Sequence, residues 1–114
     1  MRLTSALFVA AHLRRCYAEG SNAVVIRRGA DEAGAIFFLV DRLNETVDLY
    51  GPAPQTAFSD SSRPTDRLFQ LIAEGKPFEE VNRRLEREAR FDPDLWIVAI
   101  EDRHGRSYLD LAPA

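Results

Sequence analysis

The sequence holds one cysteine, one tryptophan, one lysine and two histidines in 114 residues. A lone thiol, Cys16, excludes an internal disulfide framework and a zinc site built on several cysteines. It fits a reducing compartment, so the expected location is cytoplasmic. No apolar run approaches the roughly 18 to 20 residues a membrane helix needs. The stretch closest to a leader, residues 6–11, is cut off by His12, Arg14 and Arg15, so neither secretion nor membrane insertion is expected. Glycine-rich phosphate loops, serine elbows and zinc-ligand spacings are also missing. A surplus of basic charge is lacking too: 15 basic against 18 acidic residues give a net charge of -3, which offers nucleic acid no global attraction.

What is present suffices for one core. Apolar residues at 46% and charged residues at 29% are ordinary globular values, and a chain of this length buries roughly two-thirds of its unfolded surface. Residues 1–114 are read as a single compact domain. Residues 5–19 predict a helix, with Thr4 or Ser5 as N-cap and Gly20 at its end. Leu3, Leu7, Ala10, Leu13 and Tyr17 mark one stripe of it, and Phe8, Val9 and Ala11 widen the apolar surface, predicting burial on more than one side.

Residues 23–28 and 35–42 are β-rich runs joined by a polar connector with glycine at both ends, which predicts a hairpin. Residues 36–40 are apolar on both faces, as in a central strand. Residues 46–50 alternate, predicting a third strand with one wet face. Residues 51–64 read as an exit from that strand followed by a mobile loop. Residues 66–74 fit either a short helix or a fourth strand, and strand is preferred. Pro77 opens a helix to about Arg90, with Phe78, Val81 and Leu85 inside and a lattice of Glu-first i, i+4 pairs outside. Phe91-Asp92-Pro93-Asp94 ends it, and residues 95–101 predict a second central strand with Trp96 as a core anchor. A turn at His104-Gly105 leads into a final hairpin strand over residues 106–111. The expected fold is α+β: an N-terminal helix, an antiparallel meander of three or four strands, a charged helix and a C-terminal strand hairpin.

Chemistry is sparse. Asp94 with Glu101, Asp102 and Arg103 invites a Mg²⁺ reading, but seven residues of strand separate Asp94 and Glu101 by roughly 23 Å, too far for one ion. No metal and no cofactor are expected. Glu101, Asp102 and His104 form a polar corner that an enzyme could use for proton transfer. Arg14, Arg15, Arg27 and Arg28 give residues 1–28 a local basic surplus, and guanidinium forks suit phosphate groups. Cys16 beside Arg14 and Arg15 reads as a core or interface residue, since adjacent helical side chains diverge.

Arg2-Leu3-Thr4-Ser5 with Arg14-Arg15, Arg27-Arg28-Gly29 with Ala33-Gly34-Ala35, and Phe91-Asp92-Pro93-Asp94-Leu95-Trp96 through Glu101-Asp102-Arg103 together resemble a known family. It is a family of small alphaproteobacterial proteins known only as a domain of unknown function. The resemblance implies a bacterial cytosolic protein and brings no catalytic residue, cofactor or partner with it. The leading expectation is a non-catalytic protein-interaction module or small assembly subunit, with a protein partner or a second copy of the chain. Nucleic-acid or polyanion binding through Arg14, Arg15, Arg27 and Arg28 comes next, and an enzyme using Glu101, Asp102 and His104 third.

Overall fold

A computed structural model describes residues 3–54 and 67–113. Helix α1 (Ser5–Ala18) is followed by strands β1 (Asn22–Arg27), β2 (Ile36–Asp41), β3 (Thr46–Pro52) and β4 (Phe69–Pro77), helix α2 (Phe78–Phe91) and strand β5 (Trp96–Glu101). The architecture is α+β, as expected. Gly51 and Pro52 belong to β3 rather than to a loop, and residues 55–64 of the expected mobile loop lie outside the described residues. The choice of strand for residues 66–74 holds from Phe69 onward, and β4 continues to Pro77.

The sheet order β1-β5-β2-β3-β4 corrects the first hairpin. β1 and β2 do not pair: β5 lies between them, antiparallel to β1 and parallel to β2. The connector's glycines make this insertion sterically feasible. A Cβ on Gly29 would stand 2.1 Å from the Asp94 carbonyl oxygen, and one on Gly34 would stand 2.3 Å from the same atom. Only bare Cα positions let the chain close over the entry to β5. There the Ala30 amide donates to the Asp94 carbonyl (2.9 Å) and the Trp96 amide to that of Ala35 (2.7 Å). The Trp96 indole also donates to the Ala30 carbonyl at 2.8 Å. The residue that anchors the core therefore ties down the connector as well.

Two cores lie on opposite faces of the sheet. Phe38, Val40, Trp96, Val98 and Ile100 pack under α1, while Phe37, Leu39, Leu49, Leu95 and Ile97 pack under α2. The central character read for β2 and β5 is confirmed, since both bury both faces. β3 differs from expectation: Asp48 and Tyr50, on its supposedly wet face, are buried. Asp48 is accommodated because Arg42 pairs with it at 3.2 Å and the Gly75 amide donates to it at 2.8 Å. A buried charge with both a counterion and a hydrogen bond avoids the cost of an orphan.

Helix α1 is also buried differently from the hydropathy stripe. Thr4 is its N-cap, and its inner face is Ser5, Val9, His12 and Cys16; Leu7 and Tyr17 are exposed. Ser5 is tolerated inside because its hydroxyl donates to the Gly34 carbonyl at 2.6 Å. In α2, Val81 and Leu85 are buried as expected, whereas Phe78 is exposed.

Among the described residues, no strand after the turn pairs with β5, which corrects the final hairpin. Residues 103–112 run back beneath α1 to the start of β4, where the Phe69 amide donates to the Asp110 carbonyl (2.9 Å) and the Ala112 amide to that of Phe69 (2.8 Å). One isolated parallel bridge, Phe69 to Leu111, is what remains of the expected strand. Among the described residues, no helix is long and apolar enough to cross a membrane.

Candidate functional site

The polar corner does assemble. Glu101, Asp102 and His104 line one open depression of about 300 Å³ with Asn22 and Arg106. Glu101 and His104 are exposed, but Asp102 is buried. Its carboxylate accepts from the Arg106 amide (2.7 Å), from Arg106 Nη2 (2.7 Å) and from the Ser21 hydroxyl (3.0 Å). These bonds, the Arg106 guanidinium foremost, hold the Asp102 carboxyl far below the usual carboxylate range against the opposing effect of burial. A carboxylate so engaged is a structural latch that folds residues 103–106 back onto β5. Its low basicity and engaged oxygens suit it poorly to general-base work near neutrality. Among the described residues, no group of three or more His, Cys, Asp or Glu side chains could hold a metal ion.

A second polar pair lies beneath α1. One helical turn apart, His12 and Cys16 are both buried, with His12 Nδ1 3.6 Å from Cys16 Sγ. His12 Nε2 lies 2.8 Å from the Ser107 carbonyl oxygen, which can only accept, so Nε2 carries the hydrogen and Nδ1 is left to accept from the thiol. Burial lowers the His12 pKa and, opposed by the nearby Arg15 charge, pushes the Cys16 thiol up to about 11. The thiol is therefore a donor in a core contact and a poor nucleophile. This contact and the Asp102 latch both secure the C-terminal tail.

The four arginines do not gather. Arg15 lies near the Tyr108 ring, its guanidinium carbon 5.9 Å from the centroid, beside the β1 start, and Arg14 adjoins it on α1. At the other end of β1, Arg27 donates to the Pro93 carbonyl at 2.9 Å. Arg28 pairs with Asp31 at 3.0 Å and stacks on Trp96 at 4.9 Å. The two pairs thus stand at opposite ends of a strand roughly 17 Å long.

A further surface feature lies on the α2 face of the sheet. Among the described residues, α2 packs mainly on β3 and β4, and no element covers the β1 side of that sheet face. There Val24 and Ile26 are 59% and 56% exposed. With Leu39, Ala99 and Phe78 they line a groove of about 330 Å³. The unbroken run Val24-Val25-Ile26 was its signal: an edge strand apolar on both faces needs a cover on each. The edge itself is blunted, because the Tyr17 hydroxyl donates to the Ala23 carbonyl and a bulge interrupts the ladder between Val25 and Arg27.

The comparisons agree with this fold. Residues 3–110 match the family described as "Protein of unknown function (DUF1491)". The solution structure of protein Atu0922 from A. tumefaciens is 42% identical, with a TM-score of 0.85, covering 100% of this chain and 98% of that one. The crystal structure of a DUF1491 family protein from Caulobacter crescentus is 34% identical, with a TM-score of 0.79, and the match covers 100% of both chains. An NMR structure of a DUF1491 family protein from the same organism is 33% identical, also with a TM-score of 0.79, covering 100% of this chain and 99% of that one. No curated protein matches the chain. With both sources in the alphaproteobacteria, the resemblance read from the sequence holds, and the chain belongs to the DUF1491 family.

Proposed function

We propose that this protein is a non-catalytic interaction module whose docking surface is the uncovered strip of sheet beside α2. The observation that carries the reading is the exposure of Val24 and Ile26 on an edge strand, contiguous with an apolar groove. Large apolar side chains clustered at one place on a folded surface mark an interface more often than singly scattered ones do. The polar groups argue the same way. Asp102 is consumed by Arg106 and Ser21, and His12 and Cys16 by each other and the tail, so three side chains that could carry acid-base or thiol chemistry serve to hold the fold.

The test is affinity capture from the native host with the wild-type chain and with Val24→Asp/Ile26→Asp, followed by mass spectrometry. Both positions are exposed, so the variant should keep its far-ultraviolet circular dichroism. The expected outcome is a protein recovered by the wild type and lost from the variant. Recovery of the same proteins by both chains would refute the strip as the docking surface.

A further inference from the structure

The tail that returns from β5 packs on the α1 face of the sheet. Ser107 lies against the Tyr50 phenol, and Tyr108 and Leu109 pack on the core that holds Phe38, Tyr50 and Phe69. At its far end the Asp110 carbonyl and the Ala112 amide bond the Phe69 backbone. Among the described residues this stretch makes one isolated bridge and no continuous ladder. It also carries strain, since Tyr108 has φ 59°, a left-handed backbone that a bulky aromatic rarely adopts. By contrast, α1 is pinned at its start, where the Ser5 and Ala6 amides donate to the Glu32 and Asp31 carbonyls, and along its length by Val9 and Cys16 in the core. The tail beyond Arg106 is therefore the cover that opens at least cost.

Under that cover lies His12, 5% exposed. From β2 the Phe38 ring meets it at 4.5 Å between centroids, and from α1 it faces the Cys16 thiol at 3.6 Å and the Arg15 charge. From the tail comes the Ser107 carbonyl at 2.8 Å, backed by Tyr50 of β3. Asp102, which bears on Cys16, is paired with Arg106. The neutral ring thus has both nitrogens satisfied. An imidazolium would turn its second N–H on sulfur, a weak acceptor, beside Arg15 and away from water. Burial, joined by Arg15, outweighs the bond to Ser107 and lowers the His12 pKa. We propose that residues 107–112 form a proton-sensitive strap, which protonation of His12 in mild acid opens from beneath α1 while the Asp102 latch stays shut. A wetted ring binds its proton more tightly than the covered one. Closure is therefore favoured above the ordinary histidine value of 6.5 and weakens as pH falls below it. Asp102 keeps its charge through that range, so residues 103–106 remain latched. Release bares Tyr50 and Phe69, both buried beneath the closed strap. The strap is independent of the docking strip, which lies on the other face of the sheet.

Amide hydrogen exchange of the full chain, followed by NMR from about pH 7.5 to about pH 5.5 and corrected for intrinsic rates, tests it. The Leu109 and Phe69 amides, bonded to the Ser107 hydroxyl and the Asp110 carbonyl, report the strap; the Trp96 amide, bonded to the Ala35 carbonyl, reports the sheet. Leu109 and Phe69 are expected to be at least about tenfold less protected than Trp96 at every pH, as local opening requires. Their protection should fall about five- to tenfold across the range. His12→Gln keeps a donor for Ser107 and an acceptor for the thiol but takes up no proton, so the same amides should change by less than about twofold. Wild-type strap amides that do not respond to pH overturn the proposal, as does an equal fall in His12→Gln. Protection equal to that of Trp96 also overturns it, because the strap would then open only with the whole fold. Should His12→Gln fail to fold, titration of the His12 ring in the wild type takes its place. A midpoint below 6.5 together with the local loss of protection supports the strap, and one at or above 6.5 overturns it.

Discussion

Replacing Asp102 with Asn tests the latch that holds the C-terminal tail. Asn keeps the shape of the side chain but removes the charge that the Arg106 fork and amide meet at 2.7 Å. Breaking a buried ion pair typically costs about 3 to 5 kcal/mol. Here Arg106 is 45% exposed and can turn to water, and Ser21 keeps the Tyr108 hydroxyl at 2.8 Å, so the loss should be lower, about 2 to 3 kcal/mol. Urea unfolding at pH 7 measures it directly. The pH dependence supplies a second constraint. The folded-state pKa of Asp102 is depressed, so the unfolded chain binds more protons, and the stabilisation is present above the unfolded value of about 4 and lost as pH falls below it. The wild-type advantage over Asp102→Asn should therefore be flat from about pH 5 to 8 and shrink below about pH 4. A difference under about 0.5 kcal/mol at pH 7, or one that does not shrink in acid, would refute the latch.

Other perturbations probe the core, the connector and the buried thiol. Trp96→Ala removes a 1% exposed side chain and its bond to the Ala30 carbonyl, and should cost about 3 to 5 kcal/mol in chemical denaturation. Gly34→Ala places a methyl against the Asp94 carbonyl and should cost about 1 to 3 kcal/mol, whereas Ala33→Gly, at an exposed position of the same connector, should cost less than 1 kcal/mol. Cys16 should resist thiol reagents at neutral pH in the folded chain and react on unfolding, since burial both raises its pKa and closes access.

Local signals made the elements legible. The Thr4 cap and Gly20 marked α1, Pro93 marked the end of α2, and the doubly apolar runs of β2 and β5 placed both in the middle of the sheet. Pairing was not legible, because nothing in Gly29 to Gly34 distinguishes a hairpin connector from one that spans an inserted strand. The two glycines fit either reading, and only the approach of Asp94 at 2.1 and 2.3 Å explains why both are needed. Burial on α1 was misjudged for another reason. Ser5, His12 and Cys16 are polar by type but lie inside because Gly34, Ser107 and each other supply partners from distant or neighbouring turns. Asp48 repeats the lesson on β3, where Arg42 and Gly75 make burial tolerable. For the site, Glu101, Asp102 and His104 do line one depression, but the engagement of Asp102 by Arg106 and Ser21 was not legible, because those partners come from the tail and from before β1. The apolar strip was not legible, because how far α2 reaches across its sheet face depends on the strand order β1-β5-β2-β3-β4.

The central claim is that the Val24 and Ile26 strip is kept apolar for binding and not for folding. Photo-cross-linking in living cells, with the reactive side chain at Ile26 and a control at exposed Leu71 on the opposite edge strand, tests it most directly. A docking strip gives a discrete protein adduct from position 26 and none from position 71. Adducts from position 71 with none from position 26 would contradict it.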